Sequence, residues 1–139
     1  MTRDRLRRYR WNAREIRQLG AQLDQLRAEM LSPRTSQLTG IPPAGTGGDS
    51  EVERAVIRYA DLEALYSRKR AALLEEQEAI ELAIEPLPSP ERQILRAHYI
   101  EGLTWEQVCV TVGYSWRQTH RHHARAIRQL EAAERENMA

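Results

Sequence analysis

Two capping patterns on either side of a glycine constrain the C-terminal part of this chain most strongly. Thr104 is followed three positions later by Gln107, and Ser115 is followed in the same way by Gln118. In a capping box, the hydroxyl and the side-chain amide each satisfy a backbone N–H group at the start of a helix. Gly113 lies between the two patterns and can take the positive φ that a helix end often needs. The stretch therefore predicts two short helices joined by a tight turn.

The spacing of side chains around this turn favours a helix-turn-helix. Apolar residues recur at helical spacing over Trp105–Val112. Cys109 is the small residue at which the two helices would cross. Thr119 and His122 occupy the inward positions of the second helix, although both are polar.

The second helix of this pair is rich in arginine and has no acidic residue before Glu131. A recognition helix contacts base edges with residues near its start. We therefore expect double-stranded DNA as the partner, contacted by Ser115, Trp116, Arg117, Gln118, His120, Arg121 and Arg125. We also expect DNA binding to favour protonation of the neighbouring histidines, His122 and His123 included. A helical bundle with a solvated arginine face is the alternative.

The rest of the chain predicts long helices rather than a large globular core. Phenylalanine is absent and 29% of the residues are charged, which favours an extended helical protein. Residues 51–85 form a predicted helix that is acidic towards its end, and residues 32–50 form a linker rich in proline and glycine. Residues 3–31 form another helix, in which Asn12 occupies a heptad core position and an apolar residue recurs every seventh position: Tyr9, Ile16, Leu23 and Met30.

The charges of the two long helices are complementary when the helices run antiparallel. The basic start of the first helix then meets the acidic end of the second. We expect a coiled-coil-like hairpin, which also offers a surface for forming a homo-oligomer. The arginines at its start are expected to meet water or intramolecular partners, since exposed charges contribute little. Phosphate and a protein partner are the alternatives for these residues: Arg3, Arg5, Arg7, Arg8, Arg10, Arg14 and Arg17.

A proline-rich boundary separates the hairpin from the C-terminal unit. Prolines occupy positions 86, 88 and 90, and Ser89 is the predicted cap of a helix over residues 90–100 that ends at Gly102. The predicted fold class is therefore all-α. A long antiparallel helical hairpin over residues 1–85 is followed by a three-helix unit with the helix-turn-helix over residues 86–139.

The segment SPERQILRAHYIEGLTWEQVCVTVGYSWRQTHRHHARAI resembles region 4 of bacterial sigma factors. The resemblance is carried by the lead-in helix, by YIEGL at residues 99–103 and by the helix start at Ser115. The whole chain, including YRW at residues 9–11 and TGIPPAGTGG at residues 39–48, is similar to short phage and prophage regulators of the RinA and ArpU kind. Thr119 and His122 depart from the apolar residues usual in those proteins.

This resemblance implies a phage-encoded, sigma-like transcriptional regulator of late genes, with RNA polymerase as a further partner, but not a complete sigma factor. Two other functions are alternatives. A small terminase subunit would bind packaging-site DNA and form rings through the hairpin. A coiled-coil adaptor would bind RNA polymerase without reading DNA.

Other classes of function are disfavoured by the sequence. Neither a nucleophile–base pair nor a phosphate-binding loop is recognisable, so we expect no catalysis and no cofactor. A metal site built from Cys109, His120, His122 and His123 is disfavoured because clustered histidines on one helix cannot all face one point. The lone cysteine and the lack of a run of about twenty apolar residues lead us to expect a cytoplasmic protein of a bacterial host with no membrane partner.

Overall fold

A computed structural model describes residues 1–31 and 47–139 of the chain. Most of the predicted linker lies outside these residues. The described residues form helices and no strand, so the predicted all-α class is confirmed. The helices are α1 (Arg3–Met30), α2 (Gly47–Ile84), α3 (Ser89–Leu95), α4 (Trp105–Val112) and α5 (Trp116–Met138), with a π-helical turn, Arg96–Ile100, continuing α3.

Two predicted helix starts need correction. α2 begins at Gly47, ahead of the predicted residue 51. The prediction placed the glycines in the linker, but glycine costs only about 1 kcal/mol relative to alanine inside a helix and is accepted at helix starts. At α3, Pro88 rather than Ser89 occupies the cap position, and no side-chain cap hydrogen bond forms. The Ser89 hydroxyl instead lies 3.4 Å from Gln93 Nε2.

The chain divides into two compact units, and α1 and α2 each contribute to both. The first unit contains Met1–Glu15 and Ala72–Ala139, and the second contains Ile16–Ala71. Helices α4 and α5 thus share a compact unit with the first half of α1 and the end of α2. Whether residues 1–85 and 86–139 fold independently stays a prediction.

The first unit is held together by an apolar core that draws on α1, α2, α3 and α5. Leu6 of α1 and Ile84 of α2 are fully buried, and Leu95, Tyr99 and Leu130 pack with them. Arg5 also forms a bidentate ion pair with Glu76, as the predicted charge complementarity requires. The remaining buried members of this core are Tyr9, Ala13, Ile80, Leu87, Ala126 and Ile127.

The register expected at the start of α1 is partly wrong. Asn12 was predicted at a buried heptad position, but its side chain is exposed, and Ala13 is buried instead. The buried face of α1 follows residues 6, 9, 13, 16 and 23, which keeps a seven-residue repeat, but the second core position falls four residues after Tyr9 rather than three. A short alanine can face the core where asparagine would leave an amide to satisfy.

A second apolar cluster attaches α4 to α3. Ile94, Ala97 and Val108 are its buried members. Gly102, with φ 77°, turns the chain after the π-helical turn, and Gly113, with φ 74°, ends α4. The rim of the cluster is formed by Leu103, Trp105, Val112 and Tyr114.

In the second unit, α1 contacts α2 at Gly20. A Cβ atom added to Gly20 would lie 3.2 Å from the Tyr66 ring, so the ring would have to shift by a few tenths of an ångström to admit a larger residue. Ile16 and Leu23 are buried as predicted, whereas Met30 is 37% exposed. The complete antiparallel hairpin stays a prediction. Among the described residues, no helix is both long and apolar enough to span a bilayer.

Candidate nucleic-acid interface

The two predicted capping boxes fix the starts of α4 and α5, and Gly113 lies in the turn between the two helices. The Thr104 hydroxyl accepts a hydrogen bond from Gln107 N at 3.3 Å, and Gln107 Oε1 accepts one from Thr104 N at 2.9 Å. Gly113 has the left-handed conformation that its position requires, and its N–H donates to the Cys109 carbonyl. Local sequence therefore fixes both helix starts and the turn between them.

The start of α5 presents most of the predicted DNA-binding residues to solvent. Ser115 and Gln118 are exposed, but their side chains hold each other in the second capping box, at 3.1–3.2 Å. Arg117 and Arg121 are exposed and have no ion pair among the residues that the structure describes. Trp116 is 53% exposed. Two unpaired guanidinium groups thus lie on the open side of a rigidly capped helix.

His120 differs from the other predicted contact residues because it is packed between aromatic rings. Its ring centroid lies 4.6 Å from that of Trp105 and 4.4 Å from that of Trp116. Its Nε2 atom is buried and has no hydrogen-bond partner among the described residues. In this conformation His120 supports Trp116, and Nε2 is covered.

Arg125 lies one turn beyond Arg121 and is anchored by a buried carboxylate. Glu91 of α3 is 1% exposed. Its Oε1 accepts a hydrogen bond from His122 Nδ1 at 3.0 Å and lies 3.6 Å from Arg125 Nη1. The Tyr114 ring stacks on His122 with the centroids 5.1 Å apart. His122 was predicted at an inward position. Its side chain is only half-buried, and its ring nitrogen hydrogen-bonds to a carboxylate of another helix.

The ionisation of Glu91 is favoured by its partners. Burial is the largest effect and acts to raise the carboxyl pKa. The hydrogen bond from His122 and the charges of His122 and Arg125 act in the opposite direction, together with a backbone hydrogen bond. Their sum lowers the pKa of Glu91 below its usual value. The carboxylate thus contacts α5 as an anion rather than as a neutral acid.

A second polar link joins the π-helical turn to α5. The Tyr99 hydroxyl and His123 Nε2 lie 2.7 Å apart in the interior. His98, on the same turn, stacks on Trp105 with the centroids 3.9 Å apart. Burial lowers the pKa values of His98 and His123 to about 4. These two rings are therefore neutral packing elements at neutral pH.

Sequence reasoning did not find that the start of α1 borders the same surface. A cavity of about 390 Å³ lies between α1, the π-helical turn and the starts of α4 and α5. Arg10 reaches across to the carbonyl oxygens of His98, Gly102 and Leu103, at 3.0–3.5 Å. Three arginines and three tryptophans line the cavity: Arg3, Arg7, Arg10, Trp11, Trp105 and Trp116. No local pattern signals a contact between residues this far apart in sequence.

The chemistry available at this surface is cationic and aromatic. Arginine side chains offer fixed N–H donors for phosphate or guanine, and exposed tryptophans offer flat apolar faces. Within residues 1–31 and 47–139, no group of three or more potential ligands from His, Cys, Asp and Glu is arranged to hold a metal ion. Cys109, the proposed crossing residue, is half-buried and free.

One comparison with known proteins identifies the family. Over 113 residues the chain is 32% identical to the transcriptional activator RinA of Staphylococcus phage phi11, and the match covers 78% of this chain and 75% of that protein. Neither a family model nor a solved structure matches the chain. Since the match extends over most of both proteins, the chain belongs to the family of the phage activator RinA.

Proposed function

We propose that this protein is a phage-encoded, sequence-specific DNA-binding activator of transcription that reads the major groove with α5. The observation that carries the proposal is the exposed, unpaired pair Arg117 and Arg121 on a helix whose start is fixed by a capping box. The name of the phage relative supports a role in transcription. On this reading the protein acts in the cytoplasm of the bacterial host.

The residues at the start of α5 have different roles in this proposal. Arg117 and Arg121 contact guanine edges or phosphates, because the guanidinium group can bind guanine O6 and N7 bidentately. Trp116 contacts the sugar or a thymine methyl group. Ser115 and Gln118 fix the helix start, and Arg125, tethered by Glu91, binds the flanking phosphate backbone.

Further partners belong to the same proposal. A sigma region 4-like arrangement would place the protein beside RNA polymerase at late-gene promoters, with residues 86–139 as the DNA-binding part. The hairpin helices of residues 1–85 would support a homo-oligomer. The match to a phage activator favours this function over a terminase subunit or an adaptor that does not read DNA.

Selection of bound fragments from random and phage genomic DNA tests the proposal. Wild-type protein should enrich a defined sequence, and Arg117→Ala or Arg121→Ala should reduce discrimination by about 1–3 kcal/mol per lost base contact. Arg135→Ala is a matched control, because this arginine is exposed near the other end of α5. The assignment is contradicted if the wild type enriches no sequence, or if both variants bind DNA with the affinity and discrimination of the wild type.

A further inference from the structure

The arginines of the first unit fall into two groups, and this division points to a second binding element. Arg5, Arg96 and Arg125 each face a carboxylate, from Glu76, Glu81 and Glu91 respectively. Arg3 and Arg7 are exposed and form no side-chain ion pair among the described residues. Water or intramolecular partners were the expectation for the α1 arginines: Arg5 has a carboxylate partner, and Arg3 and Arg7 are exposed to solvent.

The two unpaired arginines converge on one place. Both line the cavity beside Tyr99, one turn apart on α1. Burial raises the pKa of the Tyr99 phenol, and the charges of Arg3, Arg7 and Arg10, together with a hydrogen bond from Arg3, oppose this rise. Three guanidinium groups thus lie with Tyr99 in the lining of the cavity. Glu106 is the one acidic side chain in the lining.

The cavity also borders the start of the recognition helix. Trp116, the first residue of α5, belongs to its lining, and Trp11 of α1 lies at its other side. Both tryptophans are more than half exposed, at 53% and 57%. Arg14 lies over the Trp11 ring at 5.7 Å and extends the basic face of α1. A DNA strand that meets the start of α5 must therefore pass close to Arg3 and Arg7.

We propose that α1 is a second DNA-contacting element, in which Arg3 and Arg7 hold a backbone phosphate at the cavity while α5 contacts the bases. This inference rests on the proposed function. Arg10 is a positioning residue, since its hydrogen bonds to the carbonyls of residues 98, 102 and 103 fix α1 against the helix-turn-helix. Trp11 and Trp116 flank the entrance and pack against the sugars on either side of the phosphate. Because phosphate contacts carry no base information, the contribution to affinity is independent of sequence.

The test compares Arg7→Gln with Arg8→Gln in the full chain. Both arginines are exposed on α1 and both substitutions remove one charge, but Arg8 does not line the cavity. Affinity for a duplex pool of random sequence is measured over a range of salt concentrations. We expect Arg7→Gln to make the negative slope of log K against log salt shallower by about 1, and to weaken the binding of all sequences alike. Arg8→Gln should leave the slope close to that of the wild type.

The outcomes separate this inference from the proposed function. If the wild type binds no DNA, both fail. If the wild type binds and Arg117→Ala weakens binding while Arg7→Gln behaves like Arg8→Gln, the second element alone is overturned. Tryptophan fluorescence during titration with ATP distinguishes a free nucleotide from the DNA backbone as the source of phosphate. Saturable quenching that Arg7→Gln abolishes, with an unchanged salt slope for DNA, also overturns the inference.

Discussion

The buried carboxylate of Glu91 accepts a hydrogen bond from His122 across 3.0 Å and so joins α3 to α5. The contact bridges residues 31 positions apart in sequence. Arg125 approaches the same oxygen at 3.6 Å. Helix α5, which carries Arg117 and Arg121, is thus fixed by its capping box at the start and by this carboxylate about two turns later.

Glu91→Gln should lower the free energy of unfolding by about 1–2 kcal/mol, because the substitution removes the charge from a charge-assisted hydrogen bond. This loss of stability should be smaller than the loss on breaking a fully buried ion pair. The side chains of His122 and Arg125 are 24% and 52% exposed and can be solvated once the partner is lost. Chemical denaturation measures the change. Glu75→Gln, at an exposed position of α2, is the control, and an equal effect in both variants contradicts the role of Glu91.

Thr119→Val should raise the free energy of unfolding by about 1 kcal/mol, because it removes a buried hydroxyl and retains the side-chain shape. Thr119 is fully buried, and its Oγ1 atom has no hydrogen-bond partner among the described residues. Thr119→Ser keeps the hydroxyl and removes a methyl group, so it should lower stability by about 1 kcal/mol. Thermal and chemical denaturation of both variants provide the measurement. Destabilisation by valine would mean that the hydroxyl has a partner.

Leu23→Ala should cost about 2–5 kcal/mol, the range for truncating a buried leucine. Leu23 is 6% exposed within the second unit. Leu31→Ala is the matched control, since Leu31 is 73% exposed and a change there should stay within about 0.5 kcal/mol. Sedimentation velocity on the same samples shows whether α1 also supports an oligomer. Equal melting curves for the two variants would mean that the apolar face of α1 that carries Leu23 is exposed to solvent.

The features that local sequence determines were predictable. Both capping boxes, the positive φ of Gly113 and the bounds of α4 depend on residues within a few positions of one another, and the structure shows them where the spacing placed them. The inward position of Thr119 also follows from helical periodicity. The buried face of α1 was harder to predict, because positions three and four residues after Tyr9 both lie on its side of the helix, and only packing against the other helices selects Ala13 over Asn12.

Long-range partners could not be read from the pattern. His122 was expected at an inward position and His123 next to His120 on the same helix, and DNA binding was expected to favour protonation of both. The structure gives His122 a partner in Glu91 and buries His123 against Tyr99. Whether a histidine in an arginine-rich helix faces solvent depends on what packs against it, and one sequence does not show this. The border between α1 and the start of α5 was missed for the same reason.

The fold should lose stability as the pH falls from about 6.5 towards 4. Burial lowers the pKa values of His98 and His123 from 6.5 to about 4 in the folded protein. In this window the unfolded chain binds protons that the folded chain excludes, so the free energy of unfolding decreases with decreasing pH. A shift of this size corresponds to roughly 3 kcal/mol for each ring when complete.

Protonation of Glu91 also decreases the free energy of unfolding, but at a lower pH. Its pKa lies below the reference value of 4.5 in the folded protein, so its contribution is lost only as the pH falls below that value. A decline that begins near pH 6.5 therefore comes from the histidines. Denaturation followed over this range, with NMR titration of the histidine ring protons, tests both parts. Constant stability from about pH 7 to about pH 5, or resonances of His98 and His123 that titrate near 6.5, would show that these rings are not buried as neutral groups.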